Sequence, residues 1–306
     1  MNGIINVYKE KGFTSHDVVA KLRGILHKKK IGHTGTLDPD ATGVLPVCVG
    51  KATKVCDLLT DRDKTYKAVV KLGVTTDTLD LTGEVLSEQE VSVTEEDLQR
   101  ILPEFTGEIM QIPPMYSAIK VNGKKLYELA RKGQEIERKA RPVTIYSLKL
   151  MDVNLQEQEF SIEVCCSKGT YIRSLCADMG ERLGCGAAMK SLLRTRVGEF
   201  RLENAVTLSE IEEQMQNQGA DSFLQPIDSV FSQYGKLLVK ESGMKMLKNG
   251  NKLELSQGIV CDGEKIGKAG EADRYFRTYG ADGEFYAIYR LDGREKNYHI
   301  VKMFHE

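Results

Sequence analysis

Apolar positions along the chain follow two different periods. Val18, Val19, Leu22, Ile25 and Leu26 return every three or four residues, the spacing of a helix with one buried face, behind a Thr14 or Ser15 suited to cap it. Tyr66, Ala68, Val70, Leu72 and Val74 alternate with polar neighbours instead, as in a half-buried strand. A short strand is predicted around Ile4 to Val7, a buried strand over Val44 to Val49 and a short helix over Lys51 to Leu59. Thr94-Glu95-Glu96-Asp97 has the form of a capping box and opens a helix towards Leu102. Asn122-Gly123 marks a hairpin-like turn before a basic helix, Leu126 to Lys132, which Gly133 closes. Strands over Val143 to Val153 and Phe160 to Cys166 follow. The loop Ser167-Lys168-Gly169-Thr170 then leads to a helix that reaches Leu183 and ends at Gly184.

Strands and helices in this irregular order, with hairpin signals between them, predict an α+β mixed sheet and not a doubly wound one. Near Gln225 to Gly235 the pattern changes, giving way to one short helix, Glu241 to Lys248, and several short strands with glycine turns. A domain boundary is expected there, separating 1–230 from 235–306. No internal repeat or low-complexity segment is visible. One stretch fits neither period: IGHTGTLDPDATGVLPVCVG, residues 31–50, sets an aspartate among glycines and prolines just before an apolar run. Its backbone is shaped for something other than regular packing, and catalysis is the expectation.

Composition narrows the setting. At 306 residues and 41% hydrophobic the chain has ample material for a core. MNGIINVYKE has no apolar segment of the kind an export signal carries, and eighteen apolar residues nowhere run together, so a cytoplasmic protein with no membrane association is expected. Seven cysteines, with Cys165, Cys166, Cys176 and Cys185 lacking C-x-x-C spacing, predict reduced thiols and neither a disulfide framework nor a zinc site. Net charge is −1 and the pI about 6.6, which gives no global footprint for nucleic acid. The local distribution is less neutral. Lys21, Arg23, Lys28, Lys29 and Lys30 lead into the irregular stretch, and Lys124, Lys125, Arg131, Lys132, Arg138, Lys139 and Arg141 face only Glu128, Glu135 and Glu137.

Three enzyme motifs are nearly present. Gly43 to Lys51 resembles a phosphate loop, but six residues separate its glycines and Ala52 stands where a hydroxyl should meet magnesium. Asp38-Pro39-Asp40-Ala41-Thr42 has the D-x-D-x-T form of aspartyl-phosphate phosphohydrolases, without the apolar strand that should precede it. The third is a constellation: GHTGTLDPDATGVLP, DKTYKAVVKLG, PPMYSAIKVNGKKLYELARKG and CSKGTYIRSLCADMGERLGCGA, in this order. Together these motifs resemble the bacterial tRNA pseudouridine-55 synthase family, of TruB type, over essentially the whole chain. The chain departs at Lys9-Glu10-Lys11-Gly12-Phe13-Thr14-Ser15, where the family has Lys-Pro-x-Gly-x-Thr-Ser.

The resemblance implies a pseudouridine synthase fold, a mixed and largely antiparallel sheet flanked by helices, with a small C-terminal PUA-like β-rich domain that binds RNA. It implies an isomerase for uridine in the T arm of tRNA, working without cofactor or metal and with no evident obligate protein partner. The catalytic carboxylate would be Asp38, paired with Arg173. Tyr66 would stack on the target base, Tyr171 and Leu192 would line the substrate, and His33 would fill the gap left by the flipped nucleotide. Tyr171, two residues before Arg173, would share its face if the segment is extended. The target base lies inside a folded arm and must be extruded, at a cost on the order of a few kcal/mol. Two rival readings are a non-catalytic RNA-binding or RNA-folding protein and a magnesium-dependent phosphohydrolase.

Overall fold

The computed structural model describes residues 1–121, 123–261 and 274–305. The chain opens with β1 (Gly3–Lys9), α1 (Ser15–Leu26), β2 (Ile31–His33), β3 (Thr42–Val49), α2 (Cys56–Thr60), β4 (Lys64–Leu72), β5 (Val74–Thr76) and β6 (Val85–Glu88). It continues through α3 (Glu95–Ile101), β7 (Gly107–Gln111), β8 (Lys120–Val121), β9 (Lys124–Lys125), α4 (Leu126–Ala130), β10 (Arg141–Asn154), β11 (Glu159–Cys166), α5 (Ile172–Arg182), β12 (Ala187–Val197), β13 (Phe200–Arg201) and α6 (Leu208–Asn217). The last part holds β14 (Gly235–Val239), α7 (Met244–Lys248), β15 (Leu253–Glu254), β16 (Gly258–Val260), β17 (Arg274–Tyr279), β18 (Phe285–Asp292) and β19 (Asn297–Met303).

Local sequence explains where these elements begin. The Thr14 hydroxyl accepts from the Asp17 N–H while the Asp17 carboxylate accepts from the Thr14 N–H, so two of the helix's free donors are satisfied at the start of α1. The same reciprocal box opens α3 with Thr94 and Asp97, and α6 with Thr207 and Glu210. The expected helix after residue 50 divides into a 3-10 turn, Gly50–Val55, and α2. Asn122 of the expected hairpin turn lies outside the described residues; Gly123 has φ +79, and the flanking β8 and β9 pair antiparallel.

The large sheet has the order β1-β3-β12-β4-β11-β10-β7, with β2 added to β3 and β13 to β12. Its neighbours pair antiparallel except β3 and β12, which run parallel where Thr42 and Gly43 meet Leu193 and Arg194. β3 buries Val44 and Cys48 on one face and Leu45, Val47 and Val49 on the other, which explains its unbroken apolar run. Helices α1 and α6 cover one part of the sheet, packing Val18, Leu22 and Ile211 against Ile5 and Val47. α5 and α3 cover another, packing Leu175, Met179 and Leu98 against Val70, Ile162 and Val164. The second sheet, in the order β15-β19-β18-β17-β14-β16, begins at Gly235, where the change of pattern was read. It shares a core with the first: Ile288 and Phe304 pack with Ile4, Val44, Val230 and Phe231. The α+β expectation, with a β-rich C-terminal part, holds.

Candidate active site

The irregular stretch becomes a short strand, β2, a loop from Thr34 to Ala41, and then β3. The loop is pinned from several directions. The Leu37 N–H donates to Ser15 Oγ over 2.9 Å, the Thr34 N–H to the Pro46 carbonyl over 3.1 Å, and the Ala41 N–H to the Asp38 carbonyl over 3.1 Å. From β1 the Lys9 ammonium donates to the Pro39 and Glu10 carbonyls, and the Gly12 N–H reaches the Pro39 carbonyl. Those bonds hold the entry segment to the loop where the family's proline is missing.

Asp38 stands at the tip of this loop, its side chain 41% exposed. Arg173, the second residue of α5, brings its Nε to 3.1 Å from Asp38 Oδ2. The rest of the guanidinium is fixed by donation from Nη1 to the Thr78 carbonyl (2.9 Å) and from Nη2 to the Tyr116 carbonyl (2.8 Å). Asp80 Oδ2 lies 3.7 Å from Nη1. Its other oxygen accepts from the Thr82 N–H and from the hydroxyls of Thr78 and Thr82. With Nη1 and Nη2 so held, the planar, permanently charged fork presents its Nε to Asp38 in one orientation. The pairing agrees with the sequence expectation. Loss of hydration pushes the Asp38 carboxyl above its ordinary value, and although Arg173 opposes this, Asp80 adds to it. The acid is therefore more basic than a free aspartate.

The other expected residues gather around this pair with one exception. Tyr66 lies on the buried face of β4 with Ala68, Val70 and Leu72, as the alternation predicts. Leu192 is directly across the ladder from Ala68, and both belong to the apolar cluster that includes Leu37, Ala41 and Tyr66. Burial pushes the Tyr66 hydroxyl above its ordinary range, against the pull of Arg194. Tyr171 is the extended cap residue of α5, with its N–H and carbonyl both clamped by the Gln111 side chain at 2.8 and 3.0 Å. Because the helix starts at Ile172, the condition of an extended segment is not met, and Tyr171 and Arg173 do not share the face of a strand. Burial raises the Tyr171 hydroxyl, with Arg173 and Asp38 among its charged neighbours. His33 is the exception, since it ends β2 at the start of the loop. Its ring meets that of His16 edge-on, 5.3 Å between centroids. Burial, then His16 and Arg194, lower it to about 4, so the imidazole is neutral at pH 7 and accepts from the Gly35 N–H at Nδ1.

Asp80, Gln111 and Arg194 escaped the sequence reading. Arg194 is 1% exposed and donates from Nε to the Val44 carbonyl (2.7 Å) and from Nη2 to the Gly35 carbonyl (3.2 Å). It thereby joins β12 to both ends of the Asp38 loop. Its burial shows only once β12 is placed between β3 and β4, where such a charge persists because it is bonded.

The geometry also weighs on the rivals. Gly43 to Lys51 is β3 and its following turn, not a loop opening a helix, so no phosphate cradle exists there. The Arg173 guanidinium lies against Asp38 Oδ2, and Asp40 is exposed and paired with Lys11 at 3.6 Å. Among the described residues, the grouping with metal-ligand spacing is Asp292, Glu295 and His299, in the second sheet. No helix among them is long and apolar enough to cross a membrane.

Residues 23–172 match the N-terminal domain model of TruB family pseudouridylate synthases, and 173–232 match the tRNA pseudouridylate synthase B C-terminal domain model. The tRNA pseudouridine synthase B of Lachnoclostridium phytofermentans is 55% identical over 99% of this chain and all of that protein. That of Clostridium perfringens strain SM101 is 43% identical over the full length of both. A solved H/ACA ribonucleoprotein bound to a substrate RNA containing 2′-deoxyuridine superposes with a TM-score of 0.71 at 26% identity, covering 99% of this chain and 85% of that one. With two domain models spanning most of its length and full-length relatives at this identity, the chain belongs to the TruB family of pseudouridylate synthases.

Proposed function

We propose that the protein isomerises uridine to pseudouridine at position 55 in the T arm of tRNA, with Asp38 as the catalytic carboxylate. The observation that carries this reading is the Asp38–Arg173 pair at the tip of a pinned loop, beside Tyr66, Tyr171 and Leu192. In the reaction the bond from C1′ to N1 breaks, the uracil turns, and C5 bonds to C1′. N1 gains a proton and C5 loses one, so no atom or electron is exchanged with a cofactor. Three roles suit the carboxylate: attack on C1′, addition to C6 of the base, or removal of the C2′ proton. Each needs an unprotonated oxygen, and with Oδ2 against Arg173 the substrate would meet Oδ1.

Tyr66 would stack on the extruded uracil and take up the C5 proton, with Leu192 and Tyr171 closing the pocket around the base. His33, neutral and half-buried, would fill the vacated position in the RNA stack. The exposed Lys28, Lys29 and Lys30, and the exposed Lys124, Arg131, Lys132 and Lys139, would contact phosphates. Arg23, His27, Lys28 and Lys29 line one open hollow of about 430 Å³, a shape suited to a backbone phosphate. In this reading 1–230 is the catalytic domain, 235–306 is a PUA-like RNA-binding domain gripping tRNA near the acceptor end, and the enzyme works in the cytoplasm on tRNA.

Unmodified tRNA incubated with the protein in the presence of chelator, then mapped with carbodiimide and primer extension, is expected to give one new stop in the T loop. A stop elsewhere, or a requirement for magnesium with phosphate release, would overturn the reading. A non-catalytic RNA-binding protein would bind the tRNA and give no stop.

A further inference from the structure

Two of the seven cysteines stand together near the seam between the sheets. Cys48, in β3, is 0% exposed and lies directly across the ladder from Gly32 in β2. Cys56, at the start of α2, folds back over that ladder, so that a Cβ on Gly32 would lie 3.3 Å from its sulfur. Residues opposite each other on antiparallel strands have Cβ positions about 5 Å apart, which puts the Cys56 sulfur within reach of the Cys48 side chain, over a glycine that leaves the space open. Both pack in one apolar cluster with Ala52, Val55 and Leu59.

Their environments differ in the way a reacting pair requires. Cys56 is half-buried and so the more accessible of the two; the neighbouring Cys48 lowers its thiol, burial and Asp57 oppose this, and Lys302 of β19 adds to the lowering. Cys48 is fully buried, and the neighbouring Cys56 and burial hold it protonated. The other cysteines offer no equivalent. Cys165 and Cys166 are consecutive in β11 and point to opposite faces, Cys176 and Cys185 are buried, and Cys261 is exposed beyond β16.

We propose that Cys48 and Cys56 are an oxidative modification site, closing a reversible intramolecular disulfide when the protein meets hydrogen peroxide. The Cys56 thiolate attacks one peroxide oxygen and the O–O bond breaks. The sulfur becomes a sulfenic acid and the other oxygen leaves as hydroxide, taking a proton to form water. The Cys48 sulfur then attacks the sulfenic sulfur; the S–S bond forms, the S–O bond breaks, and the thiol proton departs with the oxygen as a second water. Two thiols lose two electrons and the peroxide gains them. The bridge ties α2 to β3 beneath β2, whose last residue opens the Asp38 loop. The site stands whichever reaction Asp38 performs.

The test treats the reduced full-length protein with a small excess of hydrogen peroxide, then denatures it, alkylates with N-ethylmaleimide and digests with trypsin without reductant. Cleavage after Lys30, Lys51, Lys54 and Arg62 puts Cys48 in peptide 31–51 and Cys56 in peptide 55–62. The expected result is these two peptides joined, two hydrogens lighter than their sum and separated by dithiothreitol, with the other five cysteines still alkylated. In C56S the Cys48 thiol should survive the same dose, and in C48S the oxidation should stop at a Cys56 sulfenic acid that dimedone traps. The proposal is overturned if wild-type Cys56 proceeds to sulfinic acid while Cys48 stays alkylatable, if either sulfur bridges to a different cysteine, or if both thiols remain free.

Discussion

At the scale of single residues, Asp38 is tuned upward. A free aspartate would need no help to stay ionised at neutral pH, but burial costs the charged form hydration, and Arg173 offsets only part of that loss. The folded protein therefore binds this proton more tightly than the unfolded chain. Stability from this group falls as pH rises through the interval that begins at the ordinary value of 3.8. Asp38→Asn removes the charge, so its melting temperature should match or exceed that of the wild type at pH 7, and the advantage should vanish near pH 4; parallel thermal melts across that range check it. Asp80 pushes Asp38 the same way as burial, so Asp80→Asn should move the acid limb of the single-turnover rate to lower pH, as a pH–rate profile would show. Tyr66→Phe keeps the ring and removes the hydroxyl. If that oxygen accepts the C5 proton, the chemical step should slow by about 10² or more while tRNA affinity stays within about twofold, which rapid-quench and filter-binding assays separate.

Among the elements, the contact between β3 and β12 decides where the loop can sit. Gly43 has φ +107, and a Cβ there would stand 2.2 Å from the Arg194 carbonyl oxygen, so both conformation and space demand glycine. Gly43→Ala should destabilise the protein by more than about 3 kcal/mol, seen as a lowered denaturation midpoint, and should displace the Asp38 loop. The sequence displayed α1, β4 and α5 because each carries an unbroken helical or alternating period, and β3 because its apolar run is continuous. It hid β12, which holds Lys190, Arg194 and Arg196 and is bulged near Ser191, so its alternation breaks. It also hid Asp80 and Gln111, whose importance comes from contacts with Arg173 and Tyr171 across 93 and 60 positions of chain. Asp38 and Arg173 were legible only because long motifs accompany them. An Asp-Pro pair alone is an ordinary turn.

For the whole molecule, the shared core between the two sheets matters most. Phe304 near the C-terminus packs with Phe231 and Phe285 at ring separations of 5.7 and 5.3 Å, in the cluster that holds Ile4 and Val44. Units joined this way should unfold together, so calorimetry of the wild type should show one transition. Phe304→Ala should cost about 3–5 kcal/mol and lower that transition as a whole; loss of the second sheet alone, at a separate temperature, would contradict the shared core.

The central claim is that Asp38 performs the isomerisation on a tRNA held by the rest of the surface. Its most direct measure is single-turnover release of tritium from tRNA labelled at C5 of uridine, with wild type and Asp38→Asn each bound to saturation. The wild type should release one label per T loop, and the variant, equally well bound, should be slower by more than about 10³. Release by the variant at a rate near that of the wild type would show that this carboxylate does not carry the reaction.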